Sequence, residues 1–170
     1  MAQSVIPSES VITIREAVLA DSKAIAAIIR AQGQFAHLND EAYAQAHVAA
    51  LLGQSRREQT NTVLVAELAG GEVVGYVAVH WFPNFLVGNT GYISELFIHP
   101  AATGKGIGGK LLDDIKEEAI RRGCVCLTLV NLRNRESYQR SFYAKHGWRE
   151  RQEAANFILD LPSADKLAIE

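Results

Sequence analysis

The chain has 170 residues, enough for one domain with its own core, and 48% of them are hydrophobic while 21% are charged. Nineteen acidic residues against 17 Lys and Arg give a net charge of −2, which argues against a nucleic-acid or anionic-membrane partner. The first residues lack the pattern of a signal peptide, and no apolar run reaches membrane-spanning length. We expect a single cytoplasmic domain over residues 1–170, with a flexible tail over residues 1–10.

The first half of the chain predicts a strand and two helices. Residues 11–16 are rich in β-branched side chains and predict a strand. Asp21 predicts the N-cap of a helix that ends near Gly33. A second helix is predicted over residues 40–52, ended by Gly53.

The middle of the chain predicts a hairpin followed by a central strand. Residues 62–68 and 73–81 are strand-like, and Gly70 and Gly71 between them suit a two-residue turn. Residues 82–91, which include a proline and two glycines, predict a loop into a strand over residues 92–98.

The last third predicts two helices and two strands. Apolar residues from Ile107 recur at helical spacing, and Gly123 ends that helix. Strands are predicted over residues 125–130 and 157–159, with a short helix over residues 137–146 between them.

The segment of residues 95–112 combines a strand end, a glycine-rich loop and the start of a helix. Four glycines fall within six residues, 104–109. Such a loop turns backbone N–H groups toward one point, where the helix dipole adds partial positive charge. The sequence therefore predicts a site for a phosphate-bearing ligand.

Two nucleotide motifs fit this loop incompletely. A Walker-type loop needs a hydroxyl residue after its lysine, but Leu111 follows Lys110. Gly104, Gly106 and Gly109 satisfy the dinucleotide fingerprint, yet the next predicted strand ends without the carboxylate that should contact a ribose. An NAD-binding module is therefore disfavoured.

The segment resembles motif A of the GCN5-related N-acetyltransferases. Residues 97–100, Phe-Ile-His-Pro, match the family's strand end, and residues 106–108, Gly-Ile-Gly, match its loop. Residues 142–148, Phe-Tyr-Ala-Lys-His-Gly-Trp, resemble a second family motif. One departure is Thr103, which stands where the family has Arg or Gln.

The resemblance implies an α/β (α+β) fold: a mixed, mostly antiparallel central sheet with helices on both faces, in the order β-α-α-β-β-β-α-β-α-β. It implies transfer of an acetyl group from acetyl-CoA to an amine by direct attack in a ternary complex. A non-catalytic acyl-CoA-binding sensor on the same fold is the alternative.

The resemblance also implies which residues bind the co-substrate acetyl-CoA. Main-chain groups of Leu96, Phe97 and Ile98 are expected to bind the pantetheine, with the Phe97 N–H as oxyanion donor. The loop residues expected to line the pyrophosphate are Thr103, Gly104, Lys105, Gly106, Ile107, Gly108 and Gly109. Asn134 is the expected contact to the pantetheine or adenosine arm, and Asn131 competes with it.

Two residues are candidates for the chemistry. Glu95 is the charged residue of an otherwise apolar strand, where a carboxylate is desolvated unless it is paired, and desolvation makes it a better proton acceptor. It serves as the general base, only positions the acceptor amine, or is a structural carboxylate hydrogen-bonded to loop amides. Tyr143 matches the family's catalytic tyrosine and is expected to protonate the leaving thiolate.

The remaining polar and aromatic residues predict no further chemistry. The five histidines and the cysteines Cys124 and Cys126 show no metal-ligand spacing, so no metal is expected. Trp81, Phe82 and Phe85 wall the acceptor pocket, lie in the core or form the contacts of a homodimer. The acceptor itself is expected to be a small-molecule amine or a peptide.

Overall fold

The computed structural model describes residues 12–159, so the tail predicted for residues 1–10 lies outside the described residues. The strands of the sheet are β1 (Ile12–Glu16), β2 (Asn61–Leu68), β3 (Val73–Asn84), β4 (Gly88–Ile98) and β5 (Cys126–Leu129). The helices are α1 (Ser22–Ala31), α2 (Glu41–Glu58), α3 (Ile107–Arg121), α4 (Glu136–Gln139) and α5 (Phe142–Lys145). None of these helices is long and apolar enough to cross a membrane.

The sheet is mixed and mostly antiparallel, which confirms the predicted fold class. Its order is β1-β2-β3-β4-β5, and each of the first three strands runs antiparallel to the next. β5 lies parallel to β4, because the crossover through α3 returns the chain to the same end of the sheet.

Each face of the sheet buries its own hydrophobic cluster. Val77 and Val79 of β3 pack on the side of α3, where Leu111 and Ile115 are fully buried. Tyr76 packs on the opposite side among apolar residues of α1 and α2. The alternation of side chains along β3 feeds both clusters, and each fully buried large side chain contributes about 1.5–3 kcal/mol.

The first two helices begin where they were predicted to, but α2 ends later. Asp40 accepts a hydrogen bond of 2.7 Å from the Tyr43 N–H and caps α2. The prediction that Gly53 ends this helix is wrong, since α2 continues to Glu58 and ends at Gln59 in a left-handed conformation. One glycine costs a helix only about 1 kcal/mol, which the buried side chains of α2 offset.

The loop predicted over residues 82–91 is mostly strand, so that prediction is wrong. β3 continues to Asn84 and β4 begins at Gly88, which leaves three residues for the turn. The N–H of Trp81 donates to the Thr60 carbonyl at 2.7 Å, and Pro83 faces the same side two residues later. β2 has ended there, so Pro83 costs no ladder hydrogen bond.

Two predictions near the C-terminus are also wrong. The helix predicted over residues 137–146 is divided into α4 and α5 by Ser141, whose φ is 55°. Residues 157–159 form no strand, and Phe157 is 91% exposed. A β-prone run that pairs with no neighbouring strand has neither ladder bonds nor a face to bury.

Candidate active site

A bulge in β4 turns two consecutive polar side chains toward one face of the sheet. The register of β3 with β4 shifts at Ser94, which is an extra residue in β4. Ser94 contacts His80, and Glu95 contacts Tyr76. Tyr76 and His80 lie on the same face of β3, so Ser94 and Glu95 both reach that face.

Strands β4 and β5 separate halfway along β4. Their parallel pairing ends with Ile93 opposite Leu129. Within residues 12–159, residues 94–98 of β4 therefore have no strand neighbour on this side. The separation leaves an open strand edge that leads from Ser94 to the glycine loop.

The register decides which backbone groups face this open edge. The His99 N–H donates to a β3 carbonyl oxygen at 2.8 Å. Antiparallel strands alternate between residues that bond each other and residues that face away. The backbone N–H and C=O groups of Phe97 therefore point toward β3, whereas those of Leu96 and Ile98 point toward the open edge. The side chain of Gln32 in α1 donates to the Ile98 carbonyl oxygen at 3.1 Å, which agrees with that direction.

The loop between β4 and α3 owes its shape to two glycines. Gly104 and Gly106 have φ values of +79° and +74°, and beyond the adjacent residues no atom lies within 4 Å of where a Cβ would stand. Glycine is therefore needed for the backbone conformation, and the space beside it is open. The Thr103 hydroxyl donates to the Pro100 carbonyl oxygen at 2.9 Å and closes the turn before them. The first N–H groups of α3, which follow Gly106, have no partner within the helix.

The next two glycines leave room for side chains of α5 and of the residue that follows it. A Cβ on Gly109 would stand 2.6 Å from the His146 ring, and one on Gly108 would stand 3.0 Å from the Phe142 ring. The close approach of α5 to the start of α3 brings Tyr143 to the same region as the loop.

Most of the predicted site residues line one cleft of about 1540 Å³. Those that do are Glu95, Leu96, Phe97, Ile98, Thr103, Gly104, Gly106, Ile107, Gly108, Gly109 and Tyr143. Lys105 and Asn134 are not among the lining residues, whereas Asn131 is, with its Oδ1 accepting from Ser137 at 3.0 Å. Arg135 and Arg140 also line the cleft, and Arg133 instead pairs with Glu150.

Glu95 is exposed to the cleft, so the desolvation expected from its apolar strand is absent. The hydroxyl of Tyr76, which is 2% exposed, donates to Glu95 Oε2 at 2.5 Å. Burial raises the pKa of Tyr76 well above its ordinary value, and the charge of Glu95 raises it further. Tyr76 is therefore a permanent hydrogen-bond donor to the carboxylate.

Tyr143 is half-buried beside two aromatic rings. Its ring lies edge-on to those of Phe142 and Trp148, with centroids 5.0 and 5.9 Å away. Burial raises the pKa of the Tyr143 hydroxyl, which keeps it protonated at neutral pH. A protonated phenol in the cleft can donate a hydrogen bond or a proton.

Tyr76 and His80 line the cleft but were given no catalytic or binding role from the sequence. Tyr76 holds Glu95, and His80 was considered only as a metal ligand. The sequence signal for both residues was a polar group within an apolar strand. Their hydrogen-bond partners, however, lie 14 or more positions away in the sequence. In the described residues no three His, Cys, Asp or Glu side chains are grouped to hold a metal ion.

A second cleft of about 750 Å³ lies between the end of α2 and α3. Charged residues of both signs line it, including Arg15 and Glu118, and none of the predicted site residues does. It shares Ser55 and Asn61 with the first cleft.

An open strand edge that runs into a helix N-terminus suits a transferase whose donor carries a phosphate-bearing arm. Residues 25–148 match the Acetyltransferase (GNAT) family. The chain belongs to this family, whose members are acyl-CoA-dependent N-acetyltransferases, and it is an enzyme of that class.

Individual relatives agree with this assignment. An uncharacterized N-acetyltransferase, YhfO, from Bacillus subtilis (strain 168) is 30% identical over 153 residues, 88% of this chain and 98% of the relative. Thialysine N-epsilon-acetyltransferase from Bos taurus is 29% identical over 128 residues, 71% of this chain and 75% of that enzyme. The crystal structure of a predicted acetyltransferase with acetyl-CoA, from Clostridium acetobutylicum, has a similar fold, with a TM-score of 0.66 and 19% identity. The match covers 87% of this chain and 96% of that one.

Proposed function

We propose that the chain moves an acetyl group from acetyl-CoA to a primary amine by direct attack in a ternary complex. The observation that carries the proposal is the continuity of one cleft, in which the bulge at Ser94 and Glu95, the open edge of β4 and the glycine loop follow one another. A thioester donor and an amine acceptor must meet at one point, and this cleft offers binding groups on both sides of it.

The loop and the open edge fit the two parts of the coenzyme. Gly104 and Gly106 leave free space beside their backbone, and the N–H groups that begin α3 can bind a pyrophosphate. Leu96 and Ile98 offer main-chain groups for the pantetheine arm. The register makes the Leu96 N–H a better oxyanion donor than the Phe97 N–H, which is directed toward β3. Lys105 and Asn134 remain predicted contacts.

The cleft also holds groups for the acceptor and the leaving group. Glu95 is an exposed anion at the bulge and attracts a cationic amine. Tyr143 supplies a proton or hydrogen bond to the departing thiolate as the C–S bond breaks. Acetylation by this route needs no covalent intermediate on the protein.

The acceptor is proposed only as a class: an amine of a small molecule or a peptide. The name of the Bos taurus relative points to an amine at the end of a lysine-like side chain. The cytoplasmic location and the homodimer stay predictions.

A thiol-release assay with acetyl-CoA across a panel of amines tests the proposal. We expect CoA release that depends on both substrates and yields an acetylated amine by mass spectrometry. Tight acetyl-CoA binding without turnover on any amine would instead support the acyl-CoA sensor. Binding of NAD but not of CoA would contradict both.

A further inference from the structure

Three side chains from neighbouring strands form a hydrogen-bonded chain that the proposed function has not used. His80 Nδ1 lies 2.7 Å from Asn61 Oδ1, and His80 Nε2 lies 3.0 Å from Ser94 Oγ. The chain crosses β2, β3 and β4, in whose register Asn61 is directly opposite His80. His80 and Ser94 are exposed, and all three residues line the cleft that contains Glu95.

The hydrogen-bond partner of His80 Nδ1 decides which atoms of the three side chains donate and which accept. An amide oxygen can only accept, so Nδ1 of the neutral ring carries the hydrogen and Nε2 has the free lone pair. The Ser94 hydroxyl can then donate to Nε2. Its other acceptor, the Ala78 carbonyl oxygen, is farther away at 3.4 Å. A hydroxyl, an imidazole and an orienting group in this order form a proton-accepting unit.

One oxygen of Glu95 already accepts a hydrogen bond of 2.5 Å from Tyr76, which fixes the carboxylate in a direction suited to holding a cation. An imidazole is by its chemistry a stronger base than a carboxylate. The bulge that directs Glu95 to this face also directs Ser94 there. An ammonium group held by Glu95 would therefore lie beside the Ser94 hydroxyl.

We propose that Ser94 and His80 remove the proton of the acceptor amine, while Glu95 holds the cation. This step rests on the proposed function. The ammonium gives one proton to Ser94 Oγ as the Ser94 hydroxyl proton passes to His80 Nε2, and the neutral amine attacks the thioester carbon. The C–N bond forms as the C–S bond breaks, and the thiolate leaves as CoA thiol with the proton of the Tyr143 hydroxyl. The second proton, which the nitrogen loses on becoming an amide, replaces the one that Tyr143 gave. The imidazolium, stabilised by Asn61, returns its proton to water.

The other titratable groups of the cleft bear on the pH dependence of this step. Those that line the cleft with His80 are Tyr76 of β3, Glu95 of β4, His47 and Glu58 of α2, and also His37, Glu136, Tyr143 and His146. The test therefore compares variants against one amine, so that the ionisation of the amine is the same throughout.

The first test is the pH profile of kcat/KM for the amine. We expect His80→Gln and Ser94→Ala each to lower kcat/KM about 100-fold. We expect Asn61→Asp to move the acidic limb to higher pH, since a carboxylate stabilises the imidazolium. His99→Gln is the matched control, because His99 is not among the residues that line the cleft, and its Nδ1 accepts from the Ala101 N–H at 3.3 Å. If His80→Gln had the same kcat/KM and the same pH profile as the wild type, the relay would be overturned.

Two measurements test the relay without relying on turnover. Nitrogen-15 NMR of the full chain should show His80 as the Nδ1–H tautomer, and the Nε2–H tautomer would overturn the proposal. Mass spectrometry after incubation with acetyl-CoA alone should show no acetyl group on Ser94, whereas an acetyl-Ser94 competent for transfer would make Ser94 a nucleophile instead. A wild-type chain that releases no CoA with any amine would overturn the proposed function and the relay together. Turnover with an unaffected His80→Gln would overturn the relay alone.

Discussion

The hydroxyl of Tyr76 and the carboxylate of Glu95 form a hydrogen bond of 2.5 Å between a buried phenol and an exposed anion. The phenol keeps its proton, because burial and the neighbouring charge raise its pKa. The carboxylate is thereby fixed in direction while its other oxygen remains available in the cleft. This arrangement suits a group that holds a cation.

The first prediction concerns Glu95→Gln. Loss of the charge should raise KM for the amine about 10- to 100-fold, the worth of a charge-assisted hydrogen bond, with a smaller change in kcat. Steady-state kinetics against amine concentration at several pH values measures this. Glu72→Gln, in the turn between β2 and β3, is the control. If the pH profile of kcat/KM lost its acidic limb in Glu95→Gln, Glu95 itself would be the base and the relay through His80 would be wrong.

The second prediction concerns the leaving group. Tyr143→Phe keeps the edge-on contacts with Phe142 and Trp148 but removes the proton that the raised pKa retains. We expect kcat to fall about 100-fold with little change in acetyl-CoA affinity. Tyr138→Phe is the matched control, since Tyr138 bonds Glu150 outside the cleft. Full turnover in Tyr143→Phe would remove the acid role.

The sequence predicted those features that depend on neighbouring residues. Gly104 and Gly106 mark the loop because their backbone conformation excludes most other residues, and the strand and helix on either side follow from local periodicity. Pro83 fits within β3 because β2 ends before reaching it, and the residues around Pro83 do not reveal where β2 ends. The contact between His80 and Ser94 likewise follows from a bulge that no single segment encodes. Pairing register was the missing information.

The third prediction separates the shape of the glycine loop from the stability of α3. Gly106→Ala and Gly123→Ala place an alanine at φ values of +74° and +67°, with no atom within 4 Å of the new Cβ. Each should cost about 1–2 kcal/mol of stability from backbone strain alone. Only Gly106→Ala should weaken acetyl-CoA binding, by about tenfold or more, because it alters the helix N-terminus. Calorimetric titration and urea unfolding measure the two effects, and equal CoA affinity in both variants would contradict the loop as the pyrophosphate site.

The fourth prediction concerns the ion pair that joins β1 to the start of α1. Arg15 bonds both carboxylate oxygens of Asp21, at 2.7 and 2.9 Å, and the Val18 N–H donates a third hydrogen bond. The hydrogen bonds from Arg15 lower the pKa of Asp21 below its ordinary value of 3.8, despite its burial. A carboxyl whose pKa is lower in the folded state stabilises the fold above its ordinary pKa, and this stabilisation is lost as pH falls through the folded value.

Asp21→Asn should therefore lower the free energy of unfolding by about 2 kcal/mol at neutral pH, since Asn keeps the shape but not the charge. The difference from the wild type should shrink as the pH falls below 3.8. Urea unfolding at neutral and acidic pH measures it, with Asp113→Asn on the exposed face of α3 as the control. A deficit that stays constant down to acidic pH would mean that Asp21 contributes through packing and not through its charge.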